Sequence, residues 1–144
     1  MFVGLPYDDG GFRRGQFKDA SLKTTEKNVC SNKNLGQEIR KNITIFEALF
    51  SQKELILSKI GSKKFVFIHI DCDVSKSAVE IFDILTEGDL LADTCYILFD
   101  DYGCETNLKH EVDAYMKRQS HTYSIKEHSS TLLTKNYRLE KTRP

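Results

Sequence analysis

Two short apolar runs, each ending abruptly in acids, dominate the hydrophobic pattern of the chain. The first reads Phe65-Val-Phe-Ile-His-Ile-Asp71-Cys-Asp73 and the second Tyr96-Ile-Leu-Phe-Asp100-Asp101-Tyr102. Runs rich in β-branched and aromatic residues, without polar alternation, are expected of parallel strands buried on both faces. Between them Ala78, Val79, Ile81, Phe82, Ile84 and Leu85 recur at helical spacing, which predicts a helix from near Ser75 that Gly88 ends. Together they make a β-α-β unit. Both strands then finish on the same edge, where open α/β sheets take their ligands, so Asp71, Asp73, Asp100 and Asp101 are expected to converge.

The flanking pattern extends the unit in both directions. Residues 1–21, with Gly4, Pro6, Gly10, Gly11 and Gly15 among scattered charges, read as a long loop. Ser21 starts a weakly amphipathic helix to about Asn32, and Ile43-Thr-Ile-Phe46 is β-branched enough to predict a buried strand. Leu49, Phe50, Leu55, Ile56, Leu57 and Ile60 follow at loosely helical spacing before Gly61. A strand over Cys95–Phe99 leads to Asp100 and Asp101, after which Leu108, Val112, Tyr115 and Met116 are spaced for a further helix. Tyr123–His128 and Lys135–Glu140 alternate apolar and polar residues, as an antiparallel hairpin at a sheet edge does. The expected fold is α/β in a single domain spanning residues 1–144.

Composition narrows the function classes. The chain has 144 residues, 40% of them hydrophobic, and its 21 basic side chains balance 21 acidic ones. Without an overall field, nucleic acid and anionic membranes are not the expected partners; small molecules or proteins are. The longest apolar runs fall well short of the ~20 residues that cross a bilayer, and no basic start precedes an apolar signal core, so a cytoplasmic address is expected. Cys30, Cys72, Cys95 and Cys104 lack metal-ligand spacing and read as reduced thiols, with Cys104 the most exposed.

Carboxylates gathered at the mouth of a sheet repel one another unless a cation or protons compensate them. Oxygen donors without a His or Cys cluster point to Mg²⁺, with Ca²⁺ or Mn²⁺ as alternatives. The plainer alternative is that Asp73, and Asp100 or Asp101, cap the helices that follow them. His69, on a buried strand, is expected to be a satisfied core histidine, and His110, His121 and His128 surface residues.

These residues resemble the macrocin O-methyltransferase group of class I S-adenosylmethionine-dependent methyltransferases. The resemblance lies in Phe2-Val-Gly-Leu-Pro6, Asp71-Cys-Asp73-Val-Ser75, Asp100-Asp-Tyr102 and Glu111-Val-Asp-Ala-Tyr115, in that order, followed by the terminal hairpin. It implies a Rossmann-like class I methyltransferase fold, mostly parallel, with a C-terminal antiparallel hairpin. It also implies an Mg²⁺-dependent O-methyltransferase acting on a hydroxyl of a sugar or glycosylated metabolite. Asp71, Asp100 and Asp101 would ligate Mg²⁺, Asp71 would also be the general base, and Ala48, Phe50 and Asp71 would contact S-adenosylmethionine. Ser75 stands where the family has Tyr, and Leu90-Leu-Ala-Asp93 where it has Gly-Gly.

The family's first, glycine-rich strand and the acid that ends its second strand would both lie before Met1. The chain is therefore expected to be the carboxyl-terminal part of that fold, and to bind S-adenosylmethionine poorly by itself, as isothermal titration would measure. Two alternatives stand beside this reading. One is a non-catalytic half-domain that forms a homo-oligomer through its uncovered sheet edge. The other is a haloacid-dehalogenase-like phosphatase, with Asp71 as nucleophile and Asp73 as acid/base.

Overall fold

The structure is a computed structural model that describes residues 27–28, 31–32, 36, 42–72, 74–103 and 106–142. The chain divides into two compact units, Met1–Asp8 with Phe12–Ala48 and Asp9–Gly11 with Leu49–Pro144. In the first, Lys27, Asn28 and Ser31 have helical backbone, and the long loop expected over residues 1–21 lies outside the described residues. Residues 43–48 are irregular, so the strand expected at Ile43–Phe46 does not form. Ile43 and Phe46 are both exposed. β-branching favours a strand only where a neighbouring strand and a packed face receive it.

All described helices and strands of defined extent lie in the second unit. They are α1 (Lys53–Ile60), β1 (Phe65–Ile70), α2 (Ser75–Glu87), β2 (Leu91–Phe99), α3 (Thr106–Gln119), β3 (Tyr123–Ser130) and β4 (Lys135–Lys141). The architecture is α/β, with a four-stranded mixed sheet in the order β1-β2-β4-β3. β1 and β2 run parallel, joined through α2, while β4 lies antiparallel to both β2 and β3. The β-α-β unit and the terminal hairpin are thus both present. The balance expected of the sheet is not, since one of the three described pairings is parallel and two are antiparallel.

Periodicity located α2 and α3 well because their apolar stripes meet. Phe82 of α2 stacks on Tyr115 of α3 with ring centroids 4.1 Å apart, and its edge meets Phe99 of β2 at 5.9 Å. Phe99 in turn meets Tyr137 of β4 edge-on at 6.1 Å. This aromatic chain crosses both helices and the two central strands, each contact adding about 0.5–1.5 kcal/mol beyond the buried area. Cys95, Ile97, Phe99 and Leu139 complete that fully buried face, whereas Tyr96 and Leu98 on the other are half-buried. β2 begins at Leu91, earlier than the expected Cys95, with Asp93 and Thr94 exposed and masking the strand in the pattern.

β1 departs from expectation. Burial on both faces was predicted, yet Val66 is 66% and Phe67 55% exposed, and Ile70 is the only residue of the strand that is fully buried. In the described sheet β1 is an edge strand with β2 as its sole neighbour, so half of its backbone pairing and part of its packing are absent. No helix among the described residues is long and apolar enough to cross a membrane.

The Tyr115 hydroxyl is buried, facing Thr86 without a hydrogen bond of normal geometry, and burial pushes its pKa up to about 12. An unsatisfied buried hydroxyl costs about 1–3 kcal/mol. A raised native pKa means stability that is complete below the unfolded value near 10 and is lost as pH rises toward 12. Tyr115→Phe is therefore expected to be no less stable than the parent at pH 7 and to lose less stability between pH 10 and 12 in urea titrations. A loss above about 2 kcal/mol at pH 7 would show that the hydroxyl has a strong partner.

Candidate functional site

The parallel ladder of β1 and β2 sets the site. Ile68 pairs with Ile97, His69 with Leu98 and Ile70 with Phe99. One step beyond, the Asp100 N–H donates to the Ile70 carbonyl at 2.9 Å. Neighbouring strands lie about 4.8 Å apart, so Asp71 and Asp100 leave the sheet side by side at its carboxyl edge. Asp71 is exposed, and Asp100 and Asp101 are half-buried. Asp73, the fourth acid expected there, lies outside the described residues.

Below this edge, α1, β1 and α2 enclose a cleft of about 220 Å³. Its wall is almost wholly apolar, with Ile56 and Ile60 from α1, Ile68 and Ile70 from β1, and Ile81 and Ile84 from α2. His69 and Asp71 are the polar residues on it, and Phe50 also lines it. An apolar concavity with a few convergent polar groups is the usual form of a small-molecule site. Of the three residues expected to contact a cofactor, Phe50 and Asp71 therefore share a cleft. Ala48 belongs to the other unit.

His69 corrects the sequence reading. It is not a core histidine, because its side chain is 45% exposed and its Nε2 lies 3.5 Å from Asp100 Oδ2. Its exposure follows from the edge position of β1 and was hidden by the apolar residues around it. His110, His121 and His128 are exposed, as expected. Cys72 and Cys95 are buried, and burial pushes the Cys95 thiol up to about 11. The exposure expected of Cys104 falls outside the described residues.

The donors implied for Mg²⁺ are Asp71, Asp100 and Asp101, all of them described. Among the described residues, no group of three or more His, Cys, Asp or Glu side chains gathers to hold an ion. Magnesium demands near-octahedral oxygen ligands at about 2.1 Å.

The N-cap position of α2 is Val74, with no side-chain capping bond. Asp100 and Asp101 precede α3, and the Asp100 carboxylate accepts from the Asp101 N–H at 3.2 Å. Behind these acids lies a network that sequence reading missed. Tyr102 donates to Asp113 Oδ1 of α3 at 2.7 Å, and Lys109 bonds Asp113 Oδ2 at 2.6 Å. Lys135 of β4 donates to the Tyr102 hydroxyl at 3.3 Å and pairs with Glu127 at 3.2 Å. Burial opposes ionisation of Asp113, but the Lys109 and Tyr102 hydrogen bonds outweigh it and hold its carboxyl below the usual range. Burial likewise opposes the charge on Lys135, yet Tyr102 and Glu127 hold its ammonium above the usual lysine range. The signal in the sequence was the placing of Asp113 four residues after Lys109 on one helix face.

Asp101 has a left-handed backbone, with φ 54°. Asp tolerates this region better than most residues, and a β-branched residue tolerates it least. Asp101→Val is expected to be less stable than Asp101→Gly by about 1–2 kcal/mol in urea denaturation, both variants lacking the carboxylate. Equal stabilities would contradict the left-handed turn. Compared with known proteins, the chain matches no family model, no curated sequence and no solved structure.

Proposed function

We propose that the Leu49–Pro144 unit provides the acceptor site of an S-adenosylmethionine-dependent O-methyltransferase, acting on a hydroxyl of a sugar or glycosylated metabolite. The observation that carries this reading is the placing of Asp71 beside Asp100 at the carboxyl edge of a parallel strand pair, with Asp71 and His69 on the wall of a mostly apolar cleft. The parallel pair followed by an antiparallel hairpin is compatible with the Rossmann-like class I methyltransferase fold. Fold likeness hosts many chemistries, so the edge residues carry the argument.

S-adenosylmethionine, when bound, supplies an electrophilic methyl group on a sulfonium. Asp71 would accept the proton of the acceptor hydroxyl, whose oxygen would take the methyl group that the sulfonium releases. The exposed Asp71 carboxylate is accessible to such a hydroxyl, and the apolar wall excludes water from one side of it. His69 and Asp100, paired beside it, orient the polar rim.

With the protein purified from its own cells through a tag on its gene, labelled methyl should pass from S-adenosylmethionine to a hydroxylated acceptor. Asp71→Asn should reduce transfer about 10²–10⁴-fold while leaving the melting temperature unchanged, since Asp71 is exposed. Transfer equal to the parent's in Asp71→Asn would refute the assignment of the base.

A second reading, a half-domain that pairs through its sheet edge, is favoured by one observation: β1 carries no Asp, Glu, Lys or Arg and presents Val66 and Phe67 to solvent. Natural sheet edges are normally blunted by charge, proline or bulges, and β1 has of these only the register shift between Phe65 and Phe67. If this edge pairs with a second copy, sedimentation should show a dimer that Phe67→Lys converts to monomer. A monomer at all concentrations would remove this reading.

A further inference from the structure

Asp101 keeps its left-handed conformation because the residues after it are held from two sides. Such a conformation persists in a non-glycine residue where the surroundings over-determine it. Tyr102 is buried, and its hydroxyl is fixed by Asp113 of α3 at 2.7 Å and by Lys135 of β4 at 3.3 Å. The Lys135 ammonium also lies 4.8 Å from the centre of the Tyr102 ring. The Gly103 N–H donates to the Leu133 carbonyl at 3.2 Å, and a Cβ on Gly103 would collide with the Leu132 carbonyl oxygen. The turn after β2 is thus tied to α3 through one side chain and to the β3–β4 connection through its backbone.

We propose that Tyr102 and Asp113 are positioning residues whose hydrogen bond holds the Asp100–Asp101 turn at the edge it shares with Asp71. The proposal rests on reading that edge as the acceptor site. Tyr102 and Asp113 act through the turn and not on the acceptor. Lys109 and Lys135 balance the charge of Asp113, so the pair is not left as an uncompensated acid behind the site.

The test compares Tyr102→Phe, Asp113→Ala and Asp113→Asn in the full chain by amide NMR spectra, and by methyl transfer with the protein from its own cells. In Tyr102→Phe and Asp113→Ala the amides of Asp101 and Gly103 should move while those of β1 and α2 hold their positions. The kcat for methyl transfer should fall about tenfold with KM unchanged, the signature of misplaced reacting groups. Asp113→Asn keeps an oxygen acceptor for the Tyr102 hydroxyl and should recover both properties. Unmoved Asp101 and Gly103 amides in Tyr102→Phe, no recovery in Asp113→Asn, or an undiminished kcat in an active protein would each overturn the proposal. If the parent transfers no methyl, the acceptor-site reading fails while the spectra still decide the positioning role. If Asp113→Ala does not fold, Tyr102→Phe, which removes one oxygen and keeps the ring, decides it.

Discussion

The backbone ladder between β1 and β2 is the constraint on which everything else in the second unit depends. A parallel pair cannot be closed by a tight turn, so the chain must cross over, and α2 is that crossing. The register then dictates which side chains share a face and which residues end together. With Ile70 opposite Phe99, the buried face continues from β1 into β2, and the chain leaves both strands at the same level. A slip of one residue would turn Phe99 away from Phe82 and move Asp100 out of line with Asp71. The same pairing therefore fixes the core and the candidate site.

The core explains why that register is stable. Tyr115, Phe82, Phe99 and Tyr137 form a continuous series of ring contacts from α3 through α2 and β2 to β4. Each ring is buried, and each belongs to a different element. Sliding any one element against the next would open space between rings that a close-packed interior does not tolerate. Surface ion pairs such as Lys53 with Glu87 join the helices at their rims but contribute little beside this packing.

Much of this was legible in the sequence, for identifiable reasons. Helical spacing at Ala78, Phe82 and Leu85 and at Leu108, Val112 and Tyr115 was strong because those positions are buried in the fold. The hairpin was legible because alternation survives where one strand face is wet. Ile43–Phe46 misled because strand propensity was taken without a partner strand, and β1 misled because a fully apolar run reads the same at an edge as in the centre. His69 was misplaced for that reason. The acids at the strand ends stood out as types, but their relation to one another depends on register, which no spacing rule supplies. The bond from Tyr102 to Asp113 joins residues on two elements whose approach follows from how α3 packs, so it too came from the structure alone.

The mixed character of the sheet also bears on the site. β4, by pairing with β2 and β3, brings Lys135 to the back of the turn that carries Asp100 and Asp101. On the β1 side of that turn, His69 Nε2 lies 3.5 Å from Asp100 Oδ2.

The central claim, that β1 and β2 end in register and so set Asp71 beside Asp100, is tested most directly by a scalar coupling across the hydrogen bond. A long-range correlation between the Asp100 amide nitrogen and the Ile70 carbonyl carbon is the predicted result, given the 2.9 Å bond between them. A coupling of the Asp100 nitrogen to the carbonyl of His69 or Ile68 instead would show a shifted ladder and contradict the account.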